Sequence, residues 1–158
     1  MSPPGVVHRA QPGDAAALAL LDKLVNPGPW SENQFAGACA ETPDGAHSAL
    51  VVRDDERLLG FVVYSRVLDE ASIHNIAVHP SVRGRGLGQA LLATALAEAG
   101  RGGALRCYLE VRASNSAARR LYEKLGFQLD GVRRNYYSTE VGREDALLMS
   151  LRLAGQES

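Results

Sequence analysis

Three alternating glycines, Gly84, Gly86 and Gly88, are the feature that most constrains the fold of this 158-residue chain. They separate an apolar stretch that ends at Val78 from a segment with helical apolar spacing that begins at Leu87. Because glycine has no Cβ, the backbone here can turn tightly and direct its N–H groups to one point. A helix N-terminus adds positive potential at that point. The pattern therefore predicts a strand, an anion-binding turn and a helix in direct succession.

The segment after this turn has the spacing of an amphipathic helix over residues 86–99. One stripe of apolar side chains carries the pattern: Leu87, Leu91, Leu92, Ala95 and Leu96. Gly100 and the sequence Arg101-Gly-Gly103 favour a helix end there. Residues 72–78 and 104–111 are predicted as the flanking strands, so the middle of the chain is a βαβ unit in an α/β order.

Capping residues and turns predict the remaining elements. Asp14 is a predicted N-cap for a helix that runs to about residue 25, and Asn115 is one for a helix over 116–124. Ser31 and Gln34 form a capping-box pattern for a short helix from residue 32. Further strands are predicted over residues 6–9, 48–53, 57–67, 127–134 and 143–153, with a turn at 42–45. Two of these strands form an antiparallel hairpin, so the sheet is expected to be mixed.

Composition excludes several classes of protein. Lys plus Arg is 17 and Asp plus Glu is 18, a net charge of −1 that argues against a protein coating nucleic acid or an anionic membrane. Cys39 and Cys107 have no second cysteine or histidine at metal spacing, so we expect buried thiols, with a catalytic thiol as the alternative. No secretory signal is visible and the longest apolar run, 87–97, is too short to span a membrane, so a cytoplasmic location is expected.

Three kinds of phosphate-binding loop can be compared with the glycine spacing. A P-loop requires a lysine, and this loop has none. A dinucleotide fingerprint requires a third glycine where Gln89 or Leu91 stands, although Glu110 after the next strand keeps that interpretation open. The pattern Arg/Gln-x-x-Gly-x-Gly/Ala is met by Arg83-Gly-Arg-Gly86-Leu-Gly88, with Arg83 and Arg85 supplying positive charge.

That loop resembles the one with which acetyltransferases of the GNAT superfamily hold the pyrophosphate of acetyl-coenzyme A (acetyl-CoA). Further motifs resemble the RimI type, which acetylates the N-terminal alanine of a ribosomal protein, and they follow in order over residues 28–152. They are Trp30-Ser31-Glu32, Val67-Leu-Asp-Glu-Ala71, Asn75-Ile-Ala-Val78, Leu109-Glu-Val-Arg-Ala-Ser-Asn115, Leu121-Tyr-Glu-Lys-Leu-Gly-Phe127, Arg133-Arg-Asn-Tyr-Tyr137 and Gly142-Arg-Glu-Asp-Ala146. His74 and His79 depart from the usual residues, and we interpret both as structural.

The resemblance implies a GNAT fold, with a mixed, mostly antiparallel sheet of about seven strands and about four helices. We expect a single domain over residues 1–158, with loose termini at 1–5 and 154–158. The implied reaction is direct acetyl transfer from acetyl-CoA to the N-terminal α-amine of a protein, and the implied acceptor is the N-terminal alanine of a small-subunit ribosomal protein. The expected partner is that protein N-terminus, with no nucleic acid, membrane or metal, and the chain is expected to be a monomer or weak dimer.

Two side chains are predicted to carry the chemistry. Glu110 lies at the carboxyl end of its strand, where ligands of α/β sheets gather, and the resemblance also assigns the general base there. Tyr122 is the general acid that the resemblance implies, with a core tyrosine as the simpler alternative. The predicted contacts to acetyl-CoA are Ile76, Ala77, Val78, Arg83, Gly84, Arg85, Gly86, Leu87, Gly88, Gln89 and Asn115.

Aromatic residues are the candidates for the acceptor cleft. Trp30, Tyr136 and Tyr137 offer rigid area with polar tips, and the tyrosine pair is predicted in a turn. Glu32, Glu70 and Glu144 are further candidates, for which a surface charge is the simpler interpretation. The alternatives in function are acetylation of a small amine or a lysine side chain, and a non-catalytic acetyl-CoA sensor.

Overall fold

The computed structural model describes residues 6–40, 47–55 and 57–153, and it contains a seven-stranded sheet with helices on both faces. The strands are β1 (Val7–Arg9), β2 (His47–Asp54), β3 (Arg57–Val67), β4 (Glu70–Val78), β5 (Arg106–Arg112), β6 (Gln128–Thr139) and β7 (Gly142–Arg152). The helices are α1 (Ala15–Val25), α2 (Glu32–Cys39), α3 (Leu87–Arg101) and α4 (Ser116–Lys124). The expected turn at 42–45 and the expected loose termini lie outside the described residues.

The strand order is β1-β2-β3-β4-β5-β7-β6. β4 and β5 run parallel and are joined by α3, which is the predicted βαβ unit. The other neighbouring strands in the described sheet pair antiparallel, including the predicted β2–β3 hairpin. The prediction of a mixed, mostly antiparallel sheet with four helices is therefore confirmed.

Two apolar clusters cover the two faces of this sheet. Helices α1 and α2 pack on one face, where Leu18 and Phe35 are fully buried against Phe61 of β3. Helices α3 and α4 pack on the other face, where the predicted stripe of α3 is buried around Leu92. Central strands contribute to both clusters, which is why β2 and β3 have nearly continuous apolar sequences.

Side-chain caps fix the starts of two helices as the sequence predicted. The Ser31 hydroxyl accepts from the backbone N–H of Gln34 at 3.2 Å, and the side-chain oxygen of Gln34 accepts from the backbone N–H of Ser31 at 2.8 Å. At α4, the Asn115 carbonyl oxygen accepts from the Ala118 N–H at 3.2 Å. Caps of this kind stabilise a helix by about 1 kcal/mol each.

Asp14 occupies the N-cap position of α1 and the helix ends at Val25, as predicted, but the expected capping hydrogen bond from the Asp14 carboxylate to the first turn is not formed. A short 3-10 helix, Pro12–Asp14, precedes α1 and gives Asp14 itself helical backbone angles. Its carboxylate accepts from the Gln11 N–H at 2.7 Å and pairs with Arg53. Because the side chain bonds backward to the preceding loop, it is not available to the first turn of α1.

β6 is longer than the sequence predicted, whereas β7 keeps the predicted length and is shifted by one residue. β6 continues to Thr139, so Tyr136 and Tyr137 lie within a strand and the prediction of a turn there is wrong. The reason is an irregularity: Asn135 has a φ of +55°, and the register with β7 shifts between Arg133 and Tyr137. The turn-like composition of this segment therefore corresponds to a bulge within the strand and not to the end of the strand.

Candidate active site

β4 and β5 separate from one another at the carboxyl end of the sheet. Their parallel pairing extends only as far as Ser72 opposite Tyr108, whereas β4 continues to Val78 and β5 to Arg112. Beyond that pair the facing edges of the two strands do not bond to each other. The two strands therefore separate toward Val78, and their separation leaves an opening in the middle of the sheet.

The glycine turn lies at the end of β4, beside this opening. Gly84 and Gly86 have φ values of +83° and +78°, which favour glycine, and Gly86 is the N-cap of α3. A Cβ at either position would meet nothing within 4 Å. Arg83 and Arg85 are exposed on the same turn. The turn is thus an open cradle of backbone N–H groups with two cations, as an anionic ligand requires.

Gly88 has a different role from the other two glycines. An added Cβ there would lie 3.3 Å from Leu121 of α4 and 3.6 Å from Val78 of β4. The absence of a side chain therefore allows α3 to approach both elements closely. Leu87 is buried, so only its backbone faces the turn, and Gln89 is partly exposed at the start of α3.

The predicted contacts on β4 divide between the faces of the sheet. Ile76 and Val78 pack against the α3–α4 cluster, whereas Ala77 is buried in the α1–α2 cluster. On the antiparallel side, Val78 lies opposite Gly60 of β3. The other edge of this segment faces the opening, where β4 has no pairing with β5.

Alternation along β5 places its charged residues on one face and its apolar residues on the other. Cys107 and Val111 are buried in the α3–α4 cluster, whereas Glu110 and Arg112 lie on the α1–α2 face. The Glu110 side chain is 34% exposed, with one carboxylate oxygen 3.6 Å from the Arg133 guanidinium of β6. The candidate base is therefore accessible to an acceptor that approaches from the α1–α2 face.

A second ion pair lies beside Glu110. Arg112 is 3.1 Å from Glu144, and its guanidinium is 4.2 Å from the centre of the Tyr137 ring. A hydrogen bond from the Ser114 hydroxyl, and to a smaller extent one from Arg112, holds the pKa of Glu144 below its ordinary value. Burial, with a smaller contribution from the Glu110 charge, raises the pKa of Tyr137. Arg112, Tyr137 and Glu144 therefore form one cluster beside Glu110, and Glu144, for which a surface charge was the simpler interpretation, is a paired carboxylate.

Tyr122 lies on the opposite face of the sheet from Glu110. It is 4% exposed in the α3–α4 cluster, with its ring 5.8 Å from that of Phe127. Burial raises its pKa to about 12, with smaller contributions from Cys107 and Tyr137.

The aromatic candidates for the acceptor cleft occupy two sides of the site. Trp30 is partly buried at the end of the loop between α1 and α2, with its ring 5.3 Å from Phe35. Tyr136 and Tyr137 meet edge to face at 5.1 Å, and the Arg133 guanidinium is 5.3 Å from the Tyr136 ring. Glu32 and Glu70 are exposed, and Glu70 lies at the opposite end of β4 from the opening.

Asn115 combines a structural role with a position near the site. Its side-chain carbonyl oxygen caps α4, so the side-chain NH₂ is the group that can contact a ligand.

The two histidines, both interpreted as structural, have local hydrogen-bond partners. The His74 Nε2 is 2.6 Å from the Ser65 hydroxyl, and the His79 Nδ1 accepts from the Ser81 N–H at 3.1 Å.

Sequence reasoning missed Asp22, whose carboxylate is 0% exposed on α1. It accepts from the Trp30 N–H at 2.7 Å and from the side-chain amides of Asn26 and Asn75 at 2.6 and 2.9 Å. The signal was an acidic residue four positions after Leu18, on the apolar face of the helix.

Residues 6–40, 47–55 and 57–153 contain no group of three or more His, Cys, Asp or Glu side chains that could hold a metal ion. No helix within these ranges is long and apolar enough to cross a membrane. Both cysteines are free and buried, as predicted.

Comparison with known proteins identifies the family. Residues 16–127 match the acetyltransferase (GNAT) family. A ribosomal protein bS18-alanine N-acetyltransferase of Salmonella typhimurium is 41% identical over 141 residues, which cover 89% of this chain and 93% of that protein. The crystal structure of the ribosomal-protein-S18-alanine N-acetyltransferase from Escherichia coli has a TM-score of 0.85 and 37% identity, covering 97% of each chain. Arabidopsis thaliana NAA60 in complex with acetyl-CoA shares the fold, with a TM-score of 0.82 and 20% identity over 95% of this chain and 99% of that one. This chain therefore belongs to the acetyltransferase (GNAT) family.

Proposed function

We propose that this chain transfers acetyl from acetyl-CoA to the N-terminal α-amine of a protein, with the alanine of ribosomal protein bS18 as the acceptor. The observation that carries the proposal is the opening between β4 and β5, with Glu110 on one face and Tyr122 on the other. The named activity of relatives that align over most of the chain supports the same acceptor. The chain would act as a monomer or weak dimer.

The glycine turn fits the pyrophosphate of acetyl-CoA. Gly84 and Gly86 leave open space where side chains would otherwise stand, and Arg83 and Arg85 supply the compensating charge. The unpaired edge of residues 76–78 is suited to main-chain hydrogen bonds with the pantetheine arm, and the NH₂ of Asn115 lies at the start of α4. When bound, acetyl-CoA supplies the thioester whose acetyl group is transferred.

The acid–base roles follow from the two faces of the sheet. An N-terminal amine has a pKa near 8, so about a tenth is uncharged at pH 7 and the base has a modest task. Glu110 takes the proton from this amine, directly or through one water, as the amine attacks the acetyl carbon. The protonated phenol of Tyr122 gives its proton to the departing sulfur. A backbone N–H near Val78 stabilises the oxyanion, a contribution of about 3 kcal/mol in comparable sites.

The acceptor enters from the face that carries α1 and α2. Trp30 on one side, and Tyr136 and Tyr137 on the other, would form the walls of the peptide cleft. The Glu110–Arg133 pair lies on this face, where an acceptor amine can reach the carboxylate. Direct transfer needs no thiol nucleophile, and burial raises the pKa of Cys107 to about 12, which keeps that thiol protonated.

Release of free coenzyme A thiol from acetyl-CoA tests the proposal. The acceptors are a short peptide that begins with alanine and the same peptide with a blocked N-terminus and an internal lysine. We expect turnover with the free α-amine only, and a fall in kcat/KM of about 10²- to 10³-fold in Glu110→Gln. Glu123→Gln is the matched control, since Glu123 is an exposed carboxylate on α4, and it should retain full activity.

Two results would contradict this function. Equal turnover with the blocked peptide would indicate a lysine acetyltransferase. Tight binding of acetyl-CoA with no turnover on the peptide or on small amines would indicate a sensor, and would leave Glu110 and Tyr122 with structural roles.

A further inference from the structure

The carboxylate of Asp22 is fully buried and accepts hydrogen bonds from three amide groups. Oδ1 accepts from the Asn26 side chain at 2.6 Å, and Oδ2 accepts from the Trp30 N–H at 2.7 Å and from Asn75 at 2.9 Å. The Asn26 amide also donates to the Asn75 carbonyl oxygen at 3.2 Å. Because a buried carboxylate is costly unless its hydrogen bonds are made, this network strongly favours one arrangement of its donors.

The donors come from separate parts of the fold. Asn26 and Trp30 lie near the two ends of the loop 26–31 that connects α1 to α2, and Asn75 lies on β4 immediately before residues 76–78. Asp22 itself is on α1, whose buried face packs on the sheet. One carboxylate therefore joins the helix, the loop and the strand.

The other side of this loop reaches the acceptor cleft. A Cβ at Gly28 would lie 3.8 Å from the Arg112 guanidinium, so the loop backbone passes close to that side chain. Arg112 in turn lies over the Tyr137 ring and pairs with Glu144. The loop that carries Trp30 therefore lies against the Arg112–Tyr137 pair on the other side of the cleft.

We propose that Asp22 is a positioning residue that holds the loop 26–31 against β4 and thereby sets the width of the acceptor cleft. The proposal rests on the proposed function, because it assigns the cleft between Trp30 and Tyr137 to the acceptor peptide. It concerns the acceptor side of the site, because the hydrogen bonds of the Asp22 carboxylate reach the loop and Asn75 rather than the glycine turn.

Asp22→Asn is the variant that tests this role. Oδ2 accepts from two donors and Oδ1 from a third, so the NH₂ of asparagine faces a donor in either orientation. The loop then loses at least one of its bonds. We expect KM for the alanine peptide to rise about tenfold, with KM for acetyl-CoA within about twofold of wild type.

Fluorescence gives a readout that does not depend on activity. Trp30 is the single tryptophan of the chain, so its emission reports this loop directly. In Asp22→Asn we expect emission at longer wavelength and stronger quenching by acrylamide. Tyr64→Phe is the matched control, since it removes the 2.8 Å hydrogen bond to Glu98 on the other face of the sheet, in the α3–α4 cluster. It should change neither the emission nor the peptide KM.

Asn26→Ala covers the case in which Asp22→Asn does not fold, because it removes one donor and keeps the carboxylate with its bonds to Trp30 and Asn75. It should shift the peptide KM and the quenching in the same direction by less. Unchanged quenching and peptide KM in a folded variant would overturn the proposal. So would a peptide KM that moves only together with KM for acetyl-CoA and with thermal stability, as in a general loss of structure.

The two proposals can fail separately. A wild-type protein that acetylates no alanine peptide overturns the proposed function, and the quenching of Trp30 still decides whether Asp22 fixes the loop. An active wild type with an unaffected Asp22→Asn overturns the positioning role alone.

Discussion

At the scale of single residues, burial keeps the Tyr122 phenol and the Cys107 thiol of the α3–α4 cluster protonated. It raises the pKa of both Tyr122 and Cys107 to about 12, because each charged form would lose its hydration. A protonated phenol can act as a proton donor, whereas a protonated thiol is a poor nucleophile. The same environment therefore supports Tyr122 as general acid and disfavours an acetyl-cysteine intermediate at Cys107.

Tyr122→Phe is expected to lower kcat about 10²-fold, since it removes the proposed donor to the leaving sulfur. In the wild type, kcat should not decline through ionisation of this phenol up to pH 10, because the pKa of Tyr122 lies about two units higher. Steady-state kcat measured from pH 6.5 to 10 checks both statements. Tyr64→Phe, which removes the hydrogen bond from the Tyr64 hydroxyl to Glu98 of α3, should retain wild-type kcat.

A decline of wild-type kcat with a midpoint below pH 10 that disappears in Tyr122→Phe would show that the phenol ionises earlier than burial implies. Unchanged kcat in Tyr122→Phe would leave this residue as core packing, the simpler alternative for a buried tyrosine.

At the scale of elements, the three glycines of the turn have different structural roles. Gly84 and Gly86 are required by their positive φ values, whereas Gly88 is required by the close contact of α3 with Leu121. The bulge at Asn135 shows the reverse, a turn-like sequence within a continuous strand. Local composition therefore identifies a break in regular backbone more securely than it identifies the kind of break.

Gly86→Ala is expected to destabilise the fold by about 1 kcal/mol, because alanine must adopt a left-handed backbone. It should also raise KM for acetyl-CoA, since the new methyl group points into the open cradle. Urea unfolding and initial rates at varied acetyl-CoA check these effects. Gly103→Ala is the matched control, since Gly103 has a φ of +109° and open space around its Cβ but follows the other end of α3.

The control should lose similar stability while KM for acetyl-CoA stays at the wild-type value. Equal effects of the two substitutions on KM would mean that the glycine turn has no direct part in binding acetyl-CoA.

At the scale of the whole molecule, raised pKa values make the fold sensitive to alkali. Burial raises the pKa of Cys107 from 9.0 to about 12, and burial followed by the hydrogen bond to Glu98 raises that of Tyr64 from 10.0 to about 12. Burial also raises the pKa of Tyr122 from 10.0 to about 12. Between the ordinary and the raised values the folded chain binds more protons than the unfolded chain, so the free energy of unfolding decreases as pH rises.

We therefore expect the free energy of unfolding to fall progressively above about pH 9, toward pH 12, in the presence of a reductant. Urea unfolding at pH 8, 9.5 and 10.5 measures this trend. Tyr64→Phe removes one of the titrating groups, so its stability should fall less steeply above pH 10. Stability that is constant or rises over this range would contradict the assignment of these pKa shifts to burial.

The sequence by itself determined the order of elements and the chemistry of the turn. Apolar spacing, capping residues and glycines act over a few positions, so they predicted β4, α3, β5 and α4 in order, with α4 correct at both ends. The motifs around Glu110 and Tyr122 predicted the family, which the comparisons confirm.

Only the tertiary structure decided what depends on contacts between distant residues. The pairing of β4 with β5 stops at Ser72, and this places Glu110 and Tyr122 on opposite faces of an opening. Asp22 accepts from residues up to 53 positions away, and no local pattern predicts that partner. Short-range signals arise from backbone geometry and are visible in a sequence, whereas strand separation and buried hydrogen bonds exist only once the chain has packed.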